Sequence, residues 1–207
     1  MKKLTTLIAI ILLFSCKSET NNDINETVKN ESEKEIETQN NTNANYSSLF
    51  DTYNCNISIA DFAKVFQIPA SDITLSKNSK TEKCIFKLKG FGKGYENTGT
   101  QLRFGPSFST KKNNKKVITE SLKEKKQIPN GRMVAGRDIV LADTRDCYIM
   151  IQSLHGRVLI LNQNYKKLFM ISYGSKASVQ GRTKIQQDQL AEKAKVLANY
   201  LVTKHKK

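Results

Sequence analysis

Apolar and polar positions divide this chain into three stretches with different patterns. Residues 4–14 are apolar apart from Thr5 and Thr6. Residues 17–46 are Asn, Glu, Thr, Lys and Ser, with Ile24, Val28 and Ile36 as isolated apolar positions. From Ser47 onward, apolar side chains recur at helix and strand spacings. Ile59, Phe62, Ala63 and Phe66 fall at i, i+3, i+4 and i+7, which predicts a helix with one buried stripe. Ser58 can cap it, with Asp61 three residues on, and Pro69 stops it. Cys84, Phe86 and Leu88 alternate with Lys83, Ile85, Lys87 and Lys89, a strand pattern. Gly90, Gly92 and Gly94 read as a flexible hairpin loop, and 101–104 as the returning strand.

Residues 113–127 predict a second helix with Val117, Ile118 and Leu122 inward, closed by a turn at Pro129-Asn130-Gly131. A β region follows, with strands at 138–141, 147–153, 157–163 and 167–173. His155-Gly156 suits a tight hairpin turn, since Gly accepts positive φ. The last element is a helix over 184–204. Leu190, Ala194, Leu197 and Leu201 form its core stripe, with Ala191 and Ala198 alongside. Lys204, Lys206 and Lys207 sit at the negative end of its dipole. The order helix, hairpin, helix, meander, helix predicts an α+β domain. Its expected architecture is a single antiparallel sheet of five to six strands, with three helices covering one face or the ends.

The three stretches set the boundaries: 1–15 a signal peptide, 16–46 a tether, 47–207 the domain. Eleven residues, nine of them apolar, fall well short of the roughly 20 that span a bilayer as a helix. A basic Met1-Lys2-Lys3 start, a short apolar middle and the small Ser15 make a secretory signal. The tether cannot bury enough apolar surface to offset the entropy of ordering it, so disorder is expected there. A flexible chain of that length has an r.m.s. reach of roughly 30 Å.

Leu13-Phe14-Ser15-Cys16 resembles the lipobox of bacterial lipoproteins, and the Lys-rich start with its Phe-Ser-Cys ending is similar to those of Bacteroidetes. The resemblance covers residues 1 to about 20. It implies that Cys16 is acylated and becomes the first mature residue. Two or three acyl chains hold a protein stably on a membrane where one does not. In such lipoproteins Asp after the lipidated Cys favours the inner membrane. Here the residue is Lys17, which implies the outer membrane, with the periplasmic and cell-surface faces both open.

A second, diffuse resemblance covers about residues 54–203. Cys55 before the first helix, Cys84-Ile85-Phe86 at a strand start, Gly136-Arg137-Asp138 before a strand and a Leu/Ala-rich terminal helix carry it. This layout is similar to small secreted actinobacterial lipoproteins of unknown function with a Mog1/PsbP-like sandwich. Gly136-Arg137-Asp138 departs from the Gly-Asp-Ala of that group. The run from Asp146 to Gln152, with His155-Gly156-Arg157, resembles uncharacterised Bacteroidetes lipoproteins. Neither group implies a catalytic residue.

Cysteine and charge add to this picture. With Cys16 assigned to lipid, Cys55, Cys84 and Cys147 remain in an oxidising setting, so at most one internal disulfide forms. Cys55–Cys84 is the favoured pair and Cys84–Cys147 the alternative. Cys147 alternates with Ile149 and Ile151 and reads as a buried strand thiol. No Cys-x-x-Cys or paired His points to a metal, and nothing points to a cofactor. The chain carries +15 overall. The two lysines of 1–15, and seven acids against three lysines in 16–46, leave +17 on 47–207.

Such a field favours anionic partners: lipopolysaccharide phosphates, acidic polysaccharide or nucleic acid. Nucleic acid is the least favoured, because the predicted address offers little of it. Lys111, Lys112, Lys115, Lys116, Lys123, Lys125 and Lys126 form the densest cluster and the candidate anion-binding residues. Tyr95, Phe91, Phe104 and Phe108 interleave with basic residues and would suit stacking. A solvated, solubilising lysine face is the competing reading.

No catalytic constellation is visible. His155 lies in an expected turn and His205 in an expected frayed tail, so a Ser or Cys nucleophile lacks its usual activator. Asp138, Asp143 and Asp146 could do acid/base work or bind Ca²⁺, although three acids at a strand junction are usually solvated. The glycines at 90–94 lack the Gly-Lys-Ser/Thr of a P-loop. Three functions follow as expectations. The first is a non-enzymatic accessory lipoprotein binding a protein or envelope component. The second is an anion- or glycan-binding module. The third is a hydrolase with an unrecognised site.

Overall fold

The computed structural model describes residues 44–76, 83–93, 100–128 and 136–207. The signal, Cys16, most of the tether, Gly94, Tyr95 and the Pro129-Asn130-Gly131 turn lie outside the described residues.

Among the described residues, four α-helices and seven strands make an α+β domain built on one antiparallel sheet. The helices are α1 (Ser47–Phe50), α2 (Ile59–Phe66), α3 (Lys111–Gln127) and α4 (Lys184–His205). The strands are β1 (Ile73–Leu75), β2 (Cys84–Leu88), β3 (Thr100–Phe108), β4 (Arg137–Leu141), β5 (Tyr148–Gln152), β6 (Arg157–Leu161) and β7 (Lys167–Ser172). Their order is β1-β2-β3-β7-β6-β5-β4. Two meanders meet where β3 pairs with β7. Between them the chain passes through α3 to the far edge at β4 and then works back toward the centre.

Seven strands and four helices replace the expected five to six and three. The additional elements carry little periodic signal. In β1 only Ile73 is buried, so its three residues show no alternation. The helix α1 is one turn long, too short for a helical stripe, although Leu49 and Phe50 are both buried. Residues just ahead of Ser47 also pack on the domain. Tyr46 is wholly buried, and Asn45 exchanges two backbone hydrogen bonds with Lys207 at 2.8 and 3.1 Å. A lone aromatic at the end of a polar run gives no periodicity, so its burial is a tertiary matter.

The helices cover both faces of the sheet rather than one face or the ends. On one face α1, α2 and α4 enclose the larger core. The rings of Phe62 and Phe86 stack there at 4.3 Å, with Phe104 beside them. The predicted α4 stripe is buried in full: Leu190, Ala191, Ala194, Leu197, Ala198 and Leu201. On the other face, α3 sets Ile118 against Ile139, Tyr148, Met150, Leu159 and Leu161. Under α3, β5 and β6 bury side chains on both faces, as the unbroken buried runs of Tyr148–Ile151 and Val158–Leu161 show.

Local chemistry sets the element ends. Ser58 Oγ accepts from Asp61 N at 3.0 Å and caps α2. Thr183 and Gln186 form a full capping box on α4. Gly156 has φ +64°, and a Cβ there would stand 1.8 Å from the Gly174 carbonyl oxygen, so only glycine fits. The described part of the Gly-rich stretch, residues 90–93, is more tied down than a flexible loop. Phe91 is buried, and its carbonyl accepts from Thr100 Oγ1 (2.8 Å) and Arg182 Nε (3.0 Å).

A basic face on the α3 side of the sheet

The α3 face gathers the predicted anion-binding lysines. Thr110 caps the helix, accepting from Asn113 N at 3.0 Å. Asn114 is buried and donates to the carbonyls of Asn162, Tyr165 and Lys167 at 3.1–3.2 Å. That bond set clamps the first turns of α3 to the β6–β7 connection. With Asn114, Ile118 and Ser121 inward, Lys111, Lys112, Lys115 and Lys116 are left exposed. Lys126 is exposed and Lys123 half-buried.

Lys125 departs from the cluster. Its ammonium lies 2.7 Å from Asp138 Oδ1 and donates to the Ile139 carbonyl at 2.7 Å, which pins α3 to β4. It is a structural lysine. The acids of α3 are also engaged: Glu124 receives Arg137 at 3.0 and 3.2 Å, and Glu120 stands 3.8 Å from Lys116.

Alongside α3 the same face carries a polar row, past the positions on which the helix packs. One row of paired residues crosses five strands there. Arg137 on β4 pairs with Gln152 on β5, then Arg157 on β6, Ser172 on β7 and Arg103 on β3. Directly paired residues point to one side of a sheet. Arginine thus recurs on every second strand with a neutral polar residue between. The row stands two residues along from Ile139, Met150, Leu159 and Met170, which α3 covers. Sequence periodicity shows that Arg103 and Arg157 alternate with core positions. It does not show that β3 and β6 flank β7, so the row is invisible without strand order.

Other expected sites are placed differently. Phe91 and Phe104 are buried, which removes them from stacking. Phe108 is 89% exposed at the end of β3, just before α3. Asp146 is buried, receives the Tyr46 hydroxyl at 2.8 Å and pairs with Lys206 at 2.6 Å. Asp138 is held by Lys125. Both carboxylates therefore serve to fasten the chain, while Asp143 is exposed. Among the described residues no three His, Cys, Asp or Glu gather as a metal site.

Cys55 and Cys84 form the disulfide, with Cα atoms 5.2 Å apart. Cys147 is a buried thiol whose pKa is pushed up to about 12 by burial. His155 is exposed, on a short turn.

His205 is not in a frayed tail. It is buried, its Nδ1 lies 3.0 Å from Ser48 Oγ, and its ring packs against Tyr53. Burial, then Lys204 and Lys207, hold its pKa below the usual 6.5. Below pH 6.5 the unfolded chain binds more protons at this site than the folded one. The His205 contribution is thus complete above that pH and is lost as pH falls toward the folded value. Urea unfolding should show a lower midpoint at pH 5.0 than at pH 7.5, with the difference reduced in His205→Gln. An equal loss in both proteins would remove His205 as the cause.

Between α2 and α4 lies a groove of about 570 Å³ lined by Val65, Ile185 and Val196, with Asp188, Glu192 and Lys193 around it. Ile185 is 71% exposed and Val196 44%. Lys193 donates to the carbonyls of Phe66 and Gln67 at 2.9 and 3.1 Å and closes the end of α2.

The chain matches no protein-family model, and comparisons with curated proteins and with solved structures find no match. Fold and surface alone define its class: an α+β domain with a seven-stranded antiparallel sheet, covered on one face and half-covered on the other.

Proposed function

We propose that the mature chain is a lipid-anchored outer-membrane lipoprotein whose domain is a non-enzymatic binding module for an anionic envelope component. Leu13-Phe14-Ser15-Cys16 supports the anchor. One observation carries the binding reading. The exposed lysines of α3 and the arginines of β3 and β6 share one face, while Glu124 and Asp138 beside them are each held by a cation. A field of one sign persists there instead of cancelling. A partner protein is the second reading, favoured by the exposed apolar side chains of the α2–α4 groove.

The test uses the full-length lipoprotein. Cys16→Ala should abolish palmitate incorporation, and labelling that survives would sink the anchor. On immobilised acidic polysaccharide or lipopolysaccharide, retention should fall steeply with salt, because screening shortens the field to about 10 Å at 0.1 M. Replacing Lys111, Lys112, Lys115 and Lys116 by Gln should weaken binding at least about tenfold, since each lysine near an anionic surface contributes on the order of 1 kcal/mol. Retention indifferent to salt and to these substitutions would exclude the basic face and leave the groove.

A further inference from the structure

Most of the basic face is lysine, and lysines can act as a diffuse charge cloud. The row across the sheet is different in kind. Of the six arginines in 47–207, three stand in it, and each is held by a side chain beside it. Arg157 Nε donates to Gln152 Oε1, Arg103 donates to Gln101 Oε1 at 3.1 Å, and Arg137 takes both oxygens of Glu124. The Glu124 carboxylate neutralises Arg137. The glutamine amides orient Arg157 and Arg103 without cancelling their charge. Among the described residues neither forms an ion pair.

Geometry narrows the ligand. Neighbouring strands lie about 4.8 Å apart, so Arg103 and Arg157, two strands apart, are separated by about 9.5 Å at the backbone. That is close to the length of an extended disaccharide. Between them stands Ser172, a hydroxyl that both donates and accepts. Gln152 and Gln101 add amides. Cations at disaccharide spacing, set among neutral hydrogen-bonding groups, match an acidic sugar chain that turns a carboxylate to this face on every second residue, as an extended polyuronate does. The guanidinium fork binds two oxygens of a carboxylate or sulfate at once, which an ammonium does not.

We propose that Arg157, Ser172 and Arg103 form a binding row for an acidic polysaccharide that crosses β6, β7 and β3. The row rests on the anion-binding reading above and makes it specific. The chain lies along the row with one acidic group on each arginine fork, and the Ser172 hydroxyl meets a sugar hydroxyl between them. The α3 lysines supply the surrounding field.

Full-length protein in detergent is titrated calorimetrically with a polyuronate, with a neutral polysaccharide of equal length and with vesicles containing anionic phospholipid. Arg103→Lys and Arg157→Lys keep the net charge and lose the fork. Each should weaken polyuronate binding on the order of tenfold, the scale of one good bidentate contact, while leaving the salt dependence unchanged. Lys111→Gln/Lys112→Gln should reduce the salt dependence instead. Both arginine variants should unfold close to the wild-type urea midpoint, since Arg103 is exposed, Arg157 is half-buried and lysine keeps the charge and most of the stem.

Wild-type affinity in both Arg→Lys variants, with weakening in the lysine pair, would overturn the row and leave the diffuse basic face standing. No polyuronate or vesicle binding by the wild type would overturn both. Tighter binding to anionic vesicles than to polyuronate, with the same arginine sensitivity, would assign the row to lipid headgroups and reject the polysaccharide.

Discussion

Arg182→Met should lower the stability of the domain by about 3 kcal/mol, more than any substitution on the basic face. Arg182 is 3% exposed and lies in the polar loop ahead of α4. Its guanidinium donates to the Phe91 carbonyl at 3.0 Å, the Gly174 carbonyl at 2.6 Å, Gln187 Oε1 at 2.9 Å and Thr100 Oγ1 at 2.8 Å. These partners belong to the β2–β3 loop, the end of β7, α4 and β3. One side chain therefore holds four elements at one end of the sheet.

No carboxylate is among the partners named. Burial pulls the pKa down to about 10, which still leaves Arg182 cationic at neutral pH. Methionine fills the volume of the stem but offers no donor, so buried carbonyls are left short of partners. For a domain of this size the midpoint should fall roughly 6–12 °C. Arg182→Lys should recover little, because an ammonium cannot reach the same four acceptors in one plane. Thermal unfolding followed by circular dichroism reads the shift. A midpoint within 2 °C of wild type would show that the network adds nothing.

Loss of the Cys55–Cys84 bridge should cost about as much. The cysteines are 29 residues apart, and closing a loop of that length stabilises by about 3.5 kcal/mol in the chain-entropy model. Cys55→Ala/Cys84→Ala should therefore unfold at a clearly lower urea concentration. Cys84 is fully buried and Cys55 half-buried, so dithiothreitol can approach the bridge only from the Cys55 side. Reduction should be slow in the native state and accelerate as urea opens the fold. Thiol titration with a mass-shifting reagent distinguishes the outcomes. Under native conditions no thiol of the domain should react, since Cys147 is buried and its thiol is held protonated. Prompt labelling of Cys147 would contradict the packing around it.

How much of this was legible in the chain depends on the range of the interaction. The stripe of α4, the Ser58 cap and the alternation in β2 all depend on neighbours within one or two turns of sequence. They were readable, and they are where the structure has them. The favoured pairing of Cys55 with Cys84 is also where the structure has it, although it ties the start of α2 to β2 across 29 residues, beyond any helix or strand pattern. The α3 lysines were readable as a cluster. The role of Lys125 was not, because its partner Asp138 arrives from a strand after the helix has ended.

His205 and Asp146 were misplaced on the same ground. Each looks like a solvated charge among charges, yet each is buried by Ser48, Tyr53 or Tyr46 from the other end of the chain. Arg182 gave no local signal, because its four bonds reach back as far as Phe91.

By itself the sequence determined an α+β domain, most element positions, the charge of the module and the Leu13-Phe14-Ser15-Cys16 motif at its start. Helix and strand periodicities, caps and glycine turns are local properties of consecutive residues. Tertiary structure alone decided three things: the strand order, the placing of helices on both faces, and which cations stand together. Strand order follows from which meander edge finds which partner, an outcome of long-range burial that no window of the chain contains. Once β7 inserts between β3 and β6, Arg103 and Arg157 stand in one row across Ser172, though 54 residues separate them in the chain.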